Sequence, residues 1–249
     1  EMSSRGLGDV YKRQIPIILC ALLCTITTIA QENKKHDLNS WWHIELDIEV
    51  HEKLELSIRE SIRLENNSKQ TKSIFTEFGV KYSPIKQIDI ATKFRVINSK
   101  KKDHFDLNLR HNVDFSYKHP LNNFRFIHRI RYVNRNELGR RIAEGDDIVH
   151  QFRLLTSLAY KTKKSNFTPK IAAELFNRFV KNEPAIVEKI RLRLEGEYAF
   201  KKAGKIGFFF GYERYFNEPV LKNISIIGVN YNYTIKTWKK TDKTLQQDD

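Results

Sequence analysis

From Trp41 to Ile235 the chain alternates apolar and polar residues with a period of two, and no other feature limits its fold more. Only an extended strand sends successive side chains to opposite faces, so this pattern, kept over most of the chain, excludes a helical protein. Trp42, Ile44, Leu46, Ile48 and Val50 alternate with His43, Glu45, Asp47 and Glu49. Leu54, Leu56, Ile58, Ile62 and Leu64 alternate with Glu55, Ser57, Arg59, Ser61 and Arg63. The pattern recurs at 74–82, 88–96, 105–117, 124–132, 148–160, 167–176, 186–200, 206–215 and 224–235, which makes eleven segments. A strand tilted across an outer membrane needs about 9–11 residues. The reading is therefore all-β: an antiparallel transmembrane β-barrel over residues 41–236, of ten to twelve strands. Twelve is favoured because single-chain bacterial barrels usually have even strand numbers. The missing strand would hide near residues 34–40, or the first segment is misplaced.

The connections sort by length. Short ones are expected at 51–53, 83–87, 118–123, 161–166 and 201–205, and longer polar ones at 65–72, 98–102, 134–147, 177–184 and 216–223. Short periplasmic turns alternating with longer external loops are the outer-membrane pattern.

Alternation alone does not say which face looks inward. The composition, 30 % charged and 40 % hydrophobic, suits a barrel in which only every second strand residue meets lipid. Inward charge is expected at Arg59, Arg63, Glu77, Arg95, Arg110, Arg129, Arg131, Arg153, Glu174, Arg191, Arg193 and Glu195, with Glu45, Lys93, Asp106 and Glu213 on the same faces. Trp42, Tyr82, Tyr117, Phe124, Tyr132, Tyr160, Tyr198, Phe200 and Tyr215 stand near strand ends, where interfacial girdles belong. The competing arrangement is a secreted lipocalin-like barrel, apolar within and wet without.

Residues 15–30 (IPIILCALLCTITTIA) are too short for a spanning helix and end in small residues before a polar stretch, the layout of a cleaved signal peptide. Both cysteines, Cys20 and Cys24, fall inside it, and the leucines before them argue against lipidation. Residues 1–14 fit neither signal nor barrel and read as a translated sequencing-adapter remnant. Residues 31–40 form a lead-in and 237–249 a polar tail. The expected location is the outer membrane of a Gram-negative bacterium.

The order of several residues resembles the DUF2490 family, uncharacterised bacterial proteins common in Bacteroidetes and read as outer-membrane barrels. The resemblance rests on Trp42, on Arg59 with Arg63, on Tyr82, Arg110-His111, Arg129-x-Arg131 and Arg153. It continues through Thr168-Pro169, Glu174-Leu175-Phe176-Asn177, Arg191, Gly196 and Tyr198. The chain departs at Asn112, where a second basic residue is usual, and in its extended C-terminal tail. The family carries no established activity, so the resemblance implies a fold and leaves function open.

The formal net charge is +14, spread along the strands rather than bunched in an arm, which argues against a nucleic-acid partner. Lys100, Lys101, Lys102, Arg140 and Arg141 are candidate contacts for lipopolysaccharide phosphates. Outer-membrane lipid and the barrel-assembly machinery are the expected partners, and oligomeric state is left open. Three roles compete: a structural barrel or small anion-preferring channel, a barrel enzyme acting on lipid or lipopolysaccharide, and a surface adhesion partner using residues 134–147. His111, His128 and His150 share the outward face, the first two as expected diagonal neighbours, but no serine shares it, since Ser116 and Ser157 point the other way. Glu60 interrupts an outward apolar stripe, where a bulge or hydrogen bond is the simple expectation. No catalytic residue, metal site or cofactor motif is assigned: P-loop, dinucleotide, CxxC and HExxH patterns are absent from the sequence.

Overall fold

The computed structural model describes residues 35–100, 104–137, 149–161, 165–179, 185–216 and 222–238. They form eleven strands: β1 (Lys35–His51), β2 (Leu54–Glu65), β3 (Gln70–Ile85), β4 (Ile88–Lys100), β5 (Phe105–Leu121), β6 (Phe124–Glu137), β7 (Val149–Tyr160), β8 (Phe167–Phe179), β9 (Ile186–Ala199), β10 (Lys205–Tyr215) and β11 (Lys222–Lys236). Each strand pairs antiparallel with the next in sequence, and β11 returns beside β1 to close a barrel.

Ten successive reversals leave β11 running in the same direction as β1, so the closing seam is parallel. Its contacts advance together along both strands. Asn232 Nδ2 donates to Asp47 Oδ2 at 2.7 Å, Lys236 pairs with Glu49 at 3.2 Å, and Thr237 N donates to the Glu49 carbonyl at 3.1 Å. The favoured twelfth strand is therefore not needed, and the count is eleven among the described residues. The parity argument assumed that closure must be antiparallel. A parallel pair bonds slightly less well per residue, yet it still removes both sheet edges.

No separate strand hides near residues 34–40, because β1 itself begins at Lys35. A side-chain clasp accounts for that early start. Asn66, Asn67 and Ser68 turn the chain after β2 with φ of 56°, 54° and 62°, a left-handed run that asparagine tolerates. Asp37 on β1 accepts from Asn66 N at 3.1 Å and Asn67 N at 2.7 Å, and Ser68 Oγ donates to the Leu38 carbonyl at 3.2 Å. At the opposite end three connections have two residues, 52–53, 86–87 and 122–123, and Asn122 supplies the positive φ of 53° in the last. Strand β6 runs to Glu137, four residues into the expected long loop, and residues 138–148 lie outside the described residues.

The faces are sorted as apolar outward and polar inward. Among the described residues thirty-eight large hydrophobic side chains are exposed, including Phe94 and Leu194 at 57 %, while only ten hydrophobic residues are buried. The buried set is dominated by Glu77, Arg95, Arg110, Asn112, Asp114, Arg131, Glu174, Arg191, Glu213 and other polar residues. A lipocalin-like interior is thereby excluded. The small apolar cluster inside, Trp41, Ile224 and Ile226 with Phe209 and Tyr215 against it, sits where the seam closes. Gly228 makes room there: a Cβ would stand 2.1 Å from the Phe209 ring.

Aromatic side chains crowd the short-turn end of the outer face, where Phe124 meets Tyr160 at 5.2 Å and Tyr198 meets Phe200 at 5.0 Å between ring centroids. Near the long-loop end, Phe152 lies 5.3 Å from both Tyr132 and Phe179. Tyr215 corrects the sequence reading: it points inward, bonding Lys189 and Glu213, because it shares the parity of Glu213.

Candidate functional site

Alternation places one row of side chains from every strand inside the barrel, and the register decides which charges meet. Across β1 to β4 the ladder reads Glu45, Arg59, Glu77, Arg95, with each residue directly opposite the next. Opposite charges on neighbouring strands attract, so this row stabilises the pairing that creates it. Arg59 reaches Glu45 at 2.6 Å and Glu77 at 3.7 Å, and Arg95 bonds Glu77 through Nε at 2.8 Å and Nη2 at 2.5 Å. Across β8 to β10 the row is Glu174, Arg191, Glu213. Arg191 Nε donates to Glu213 at 2.6 Å, and Arg129 joins Glu174 at 2.8 Å. Asp114 takes both ends of the Arg131 fork, at 2.5 and 2.6 Å. Arg193 adds Glu195 at 3.0 Å. These pairs form an ionic belt around the middle of the interior.

The alternation of sign fails at three steps between β4 and β7, one of them Arg131 opposite Arg153. Arg95 stands opposite Arg110, and Arg110 opposite Arg135. Like charges directly opposite one another are unfavourable. Arg110 meets no carboxylate among the described residues; its Nε donates to Asn112 Oδ1 at 2.8 Å. Arg153 is held the same way, Nε to Gln151 Oε1 at 2.6 Å. Arg63 has no hydrogen-bond acceptor among the described residues and lies over the Trp41 ring at 4.1 Å.

Guanidinium groups and rings alternate through this region. Arg95 lies 3.8 Å from the Phe75 centroid, and Arg63 lies 4.9 Å from Phe75 on its way to Trp41. Arg191 is 4.9 Å from Trp41 and 4.7 Å from Phe176, which Arg153 approaches to 4.5 Å. Ring faces carry negative potential, so each interposed ring eases the crowding of like charges.

The groups surround a cavity of about 580 Å³ that receives side chains from all eleven strands. Arg59, Arg63, Arg95, Arg110, Arg129, Arg131, Arg153, Glu174, Arg191, Arg193 and Glu195 line it, and Glu77 is buried behind Arg95 and Arg59. Its lining holds fifteen lysines and arginines against four glutamates.

A model of a family described as a protein of unknown function, DUF2490, matches residues 38–220. The chain belongs to the DUF2490 family. No curated protein and no solved structure matches it. The match to DUF2490 begins in β1 and ends after β10, so it contains every arginine of the cavity and stops short of the closing strand.

In this DUF2490 barrel the outward histidines do not meet. The two-residue turn at 122–123 puts His111 opposite Asn134 and His128 opposite Tyr117. The two histidines are thus six residues apart along the ladder, about 20 Å at 3.3 Å per residue, not diagonal neighbours. Each has a local partner: His111 with Thr92 Oγ1 at 2.8 Å, His128 with Thr156 Oγ1 at 3.1 Å, His150 with the Tyr132 hydroxyl at 2.7 Å. Glu60 sits exposed in an unbroken ladder between Ile44 and Thr76; the register shift of β2 falls at Arg63 and Leu64 instead. Lys100 is exposed at the long-loop end of β4, while Lys101, Lys102, Arg140 and Arg141 lie outside the described residues.

Sequence reasoning passed over the inward aromatics Trp41, Phe75 and Phe176 as constituents of the site. Their signal was parity: each shares the face of a polar or charged residue two positions away, His43, Glu77 and Glu174. His43 was likewise seen only as polar, yet its Nδ1 and Ser61 Oγ are 2.5 Å apart inside the barrel.

Proposed function

We propose that the protein is an outer-membrane β-barrel of a Gram-negative bacterium and that its interior forms a small, anion-preferring channel. The observation that carries the reading is the inversion of the faces, with apolar side chains all round the outside and charge within. A soluble monomer rarely exposes one contiguous apolar patch beyond a few hundred Å². Lipid removes that cost, and closure satisfies every strand within the bilayer. Fifteen lysines and arginines line the cavity against four glutamates, and counting Glu77, Asp114 and Glu213 bonded behind them still leaves cations in excess. That excess favours anions by the electrostatics that rings of arginine and lysine impose on pores.

In this reading the barrel is inserted by the barrel-assembly machinery after export, and its short turns face the periplasm. Lys100, exposed at the long-loop end of β4, is then a contact for lipopolysaccharide phosphates, and the sequence offers Lys101, Lys102, Arg140 and Arg141 for the same role. The protein acts without catalysis.

Refolding into lipid vesicles tests the location, since a folded barrel migrates differently on a gel before and after boiling. Planar bilayers test the channel: reversal potentials in a potassium chloride gradient should show anion preference. Absence of conductance from folded protein would refute the channel and leave a structural barrel.

A further inference from the structure

We propose that Arg63, Arg110 and Arg153 form a binding site for a phosphate group inside the barrel. The site deepens the anion-channel reading by naming what the interior holds and where. All three line the cavity. The other six arginines expected inside each touch a carboxylate: Arg59 with Glu45, Arg95 with Glu77, Arg129 with Glu174, Arg131 with Asp114, Arg191 with Glu213 and Arg193 with Glu195. Arg63, Arg110 and Arg153 touch none among the described residues. All three face the same cavity, and Arg153 lies close enough to Arg63 and to Arg110 to add to the positive charge at each.

How they are held matters more than the missing acids. Asn112 and Gln151 each accept from one Nε, at 2.8 and 2.6 Å, and so fix a guanidinium plane without neutralising it. Asn112 is fully buried, and its position two residues from Arg110 on one face makes the contact local. The terminal nitrogens of both arginines have no protein acceptor among the described residues. Arg63 is oriented by stacking on Trp41 instead. Three oriented forks with no carboxylate in direct contact among the described residues suit a tetrahedral oxyanion with two charges and several acceptor oxygens, which a guanidinium grips in bidentate fashion. Chloride offers one centre and no geometry to match.

The approach is charged in the same sense. Arg135 and Arg178 line the cavity without carboxylate partners among the described residues, and both sit at the long-loop ends of β6 and β8. Against them stands Glu188, which is held by Gln151. At the other end the lysines are matched: Lys81 with Glu55, Lys118 with Asp89, Lys170 with Glu195. A phosphate group entering at the long-loop mouth thus passes Arg135 and Arg178 on its way to Arg63, Arg110 and Arg153, which stand among the paired charges of the belt.

The test uses the folded barrel in detergent micelles, titrated calorimetrically with inorganic phosphate and with glycerol phosphate at constant ionic strength, sodium chloride being the control. Saturable binding of either, absent with chloride, is expected. A preference for one tells a free anion from a phosphorylated solute. The Arg110→Gln/Arg153→Gln variant leaves no carboxylate unpaired and should fold, with affinity lowered at least tenfold. Arg153→Lys keeps the charge but loses the fork, and should weaken binding several-fold; it serves where the double variant does not fold. Lys86→Gln, in the exposed two-residue turn after β3, should change nothing. No phosphate-specific heat, or affinity untouched by the interior variants, overturns the site. Binding without bilayer conductance keeps the site and removes the channel; conductance indifferent to phosphate does the reverse.

Discussion

Replacing Glu77 with glutamine isolates what the ionic belt contributes to stability. Glu77 is 2 % exposed and stands between three cations: Arg95 with two hydrogen bonds at 2.8 and 2.5 Å, Lys93 at 3.6 Å and Arg59 at 3.7 Å. Glutamine keeps the shape and removes the charge. Arg59 retains Glu45 at 2.6 Å, but Arg95 and Lys93 lose the one carboxylate they pair with among the described residues. Leaving one half of a buried ion pair uncompensated costs about 3–5 kcal/mol. At 1.4 kcal/mol per factor of ten, the folding equilibrium should fall by about two to four powers of ten. A reference pair lies on the same strand ladder: Lys72 and Glu65 meet at 2.8 Å with side chains 41 % and 37 % exposed, so Glu65→Gln should cost about 0–1 kcal/mol.

The assay is reversible urea unfolding in lipid vesicles, followed by the fluorescence of Trp41 and Trp42 and by heat-dependent gel migration. Glu77→Gln should unfold at clearly lower urea than Glu65→Gln. Adding Arg95→Met to Glu77→Gln should restore part of the loss, because the orphaned charge leaves with its partner. Equal midpoints for the two single variants would refute the reasoning, since water would then be solvating the belt as freely as it does the loop end.

Other perturbations address other links. Leu192→Arg, midway along outward β9, should cost about 2–4 kcal/mol in a bilayer, whereas Leu121→Arg at a strand end should cost about 0–1; equal costs in folding titrations would argue against a lipid-facing wall. Glu60→Leu should raise stability in vesicles and do little in a detergent-free soluble form, a contrast read from the same urea curves. Gly228→Ala should destabilise by about 1–3 kcal/mol through overpacking, and Phe209→Leu in the same chain should relieve it, as paired melts would reveal. Cysteines at Glu49 and Lys236 should cross-link with a short bifunctional reagent, because those side chains are 3.2 Å apart across the seam; a twelfth strand between β1 and β11 would block the link. His128→Ala should leave phospholipid and lipid A unchanged after incubation, and altered hydrolysis on mutation would revive the enzyme reading.

The fold was legible because a barrel writes its two faces in alternate letters. Eleven periodic segments could be counted from the sequence, and eleven strands close the barrel. What misled was parity of strand number, since nothing local in β1 or β11 announces a parallel seam between residues nearly a whole chain apart. The strand start at Lys35 was equally hidden. It depends on Asp37 meeting the amides of Asn66 and Asn67, a contact some thirty residues away that periodicity does not register.

The site was half legible for a different reason. Parity assigns a charge to the interior, but only register says whether that charge is matched. Arg95 and Arg110 look alike in sequence, each on a polar stripe among apolar neighbours. Register then sets Glu77 opposite Arg95, and sets Arg95 and Arg135 on either side of Arg110. The one sequence sign of the difference is the companion two residues away on the same face, Asn112 beside Arg110 and Gln151 beside Arg153. A lysine or arginine at Asn112 would have added charge with no acceptor, and an aspartate would have neutralised the fork. An amide does neither: it orients the guanidinium and leaves its charge for something else to meet. If that is the reason for the residue, Asn112→Asp should abolish phosphate binding while stabilising the empty barrel, and Asn112→Leu should weaken binding without stabilising it. A structural role alone would move stability and binding together.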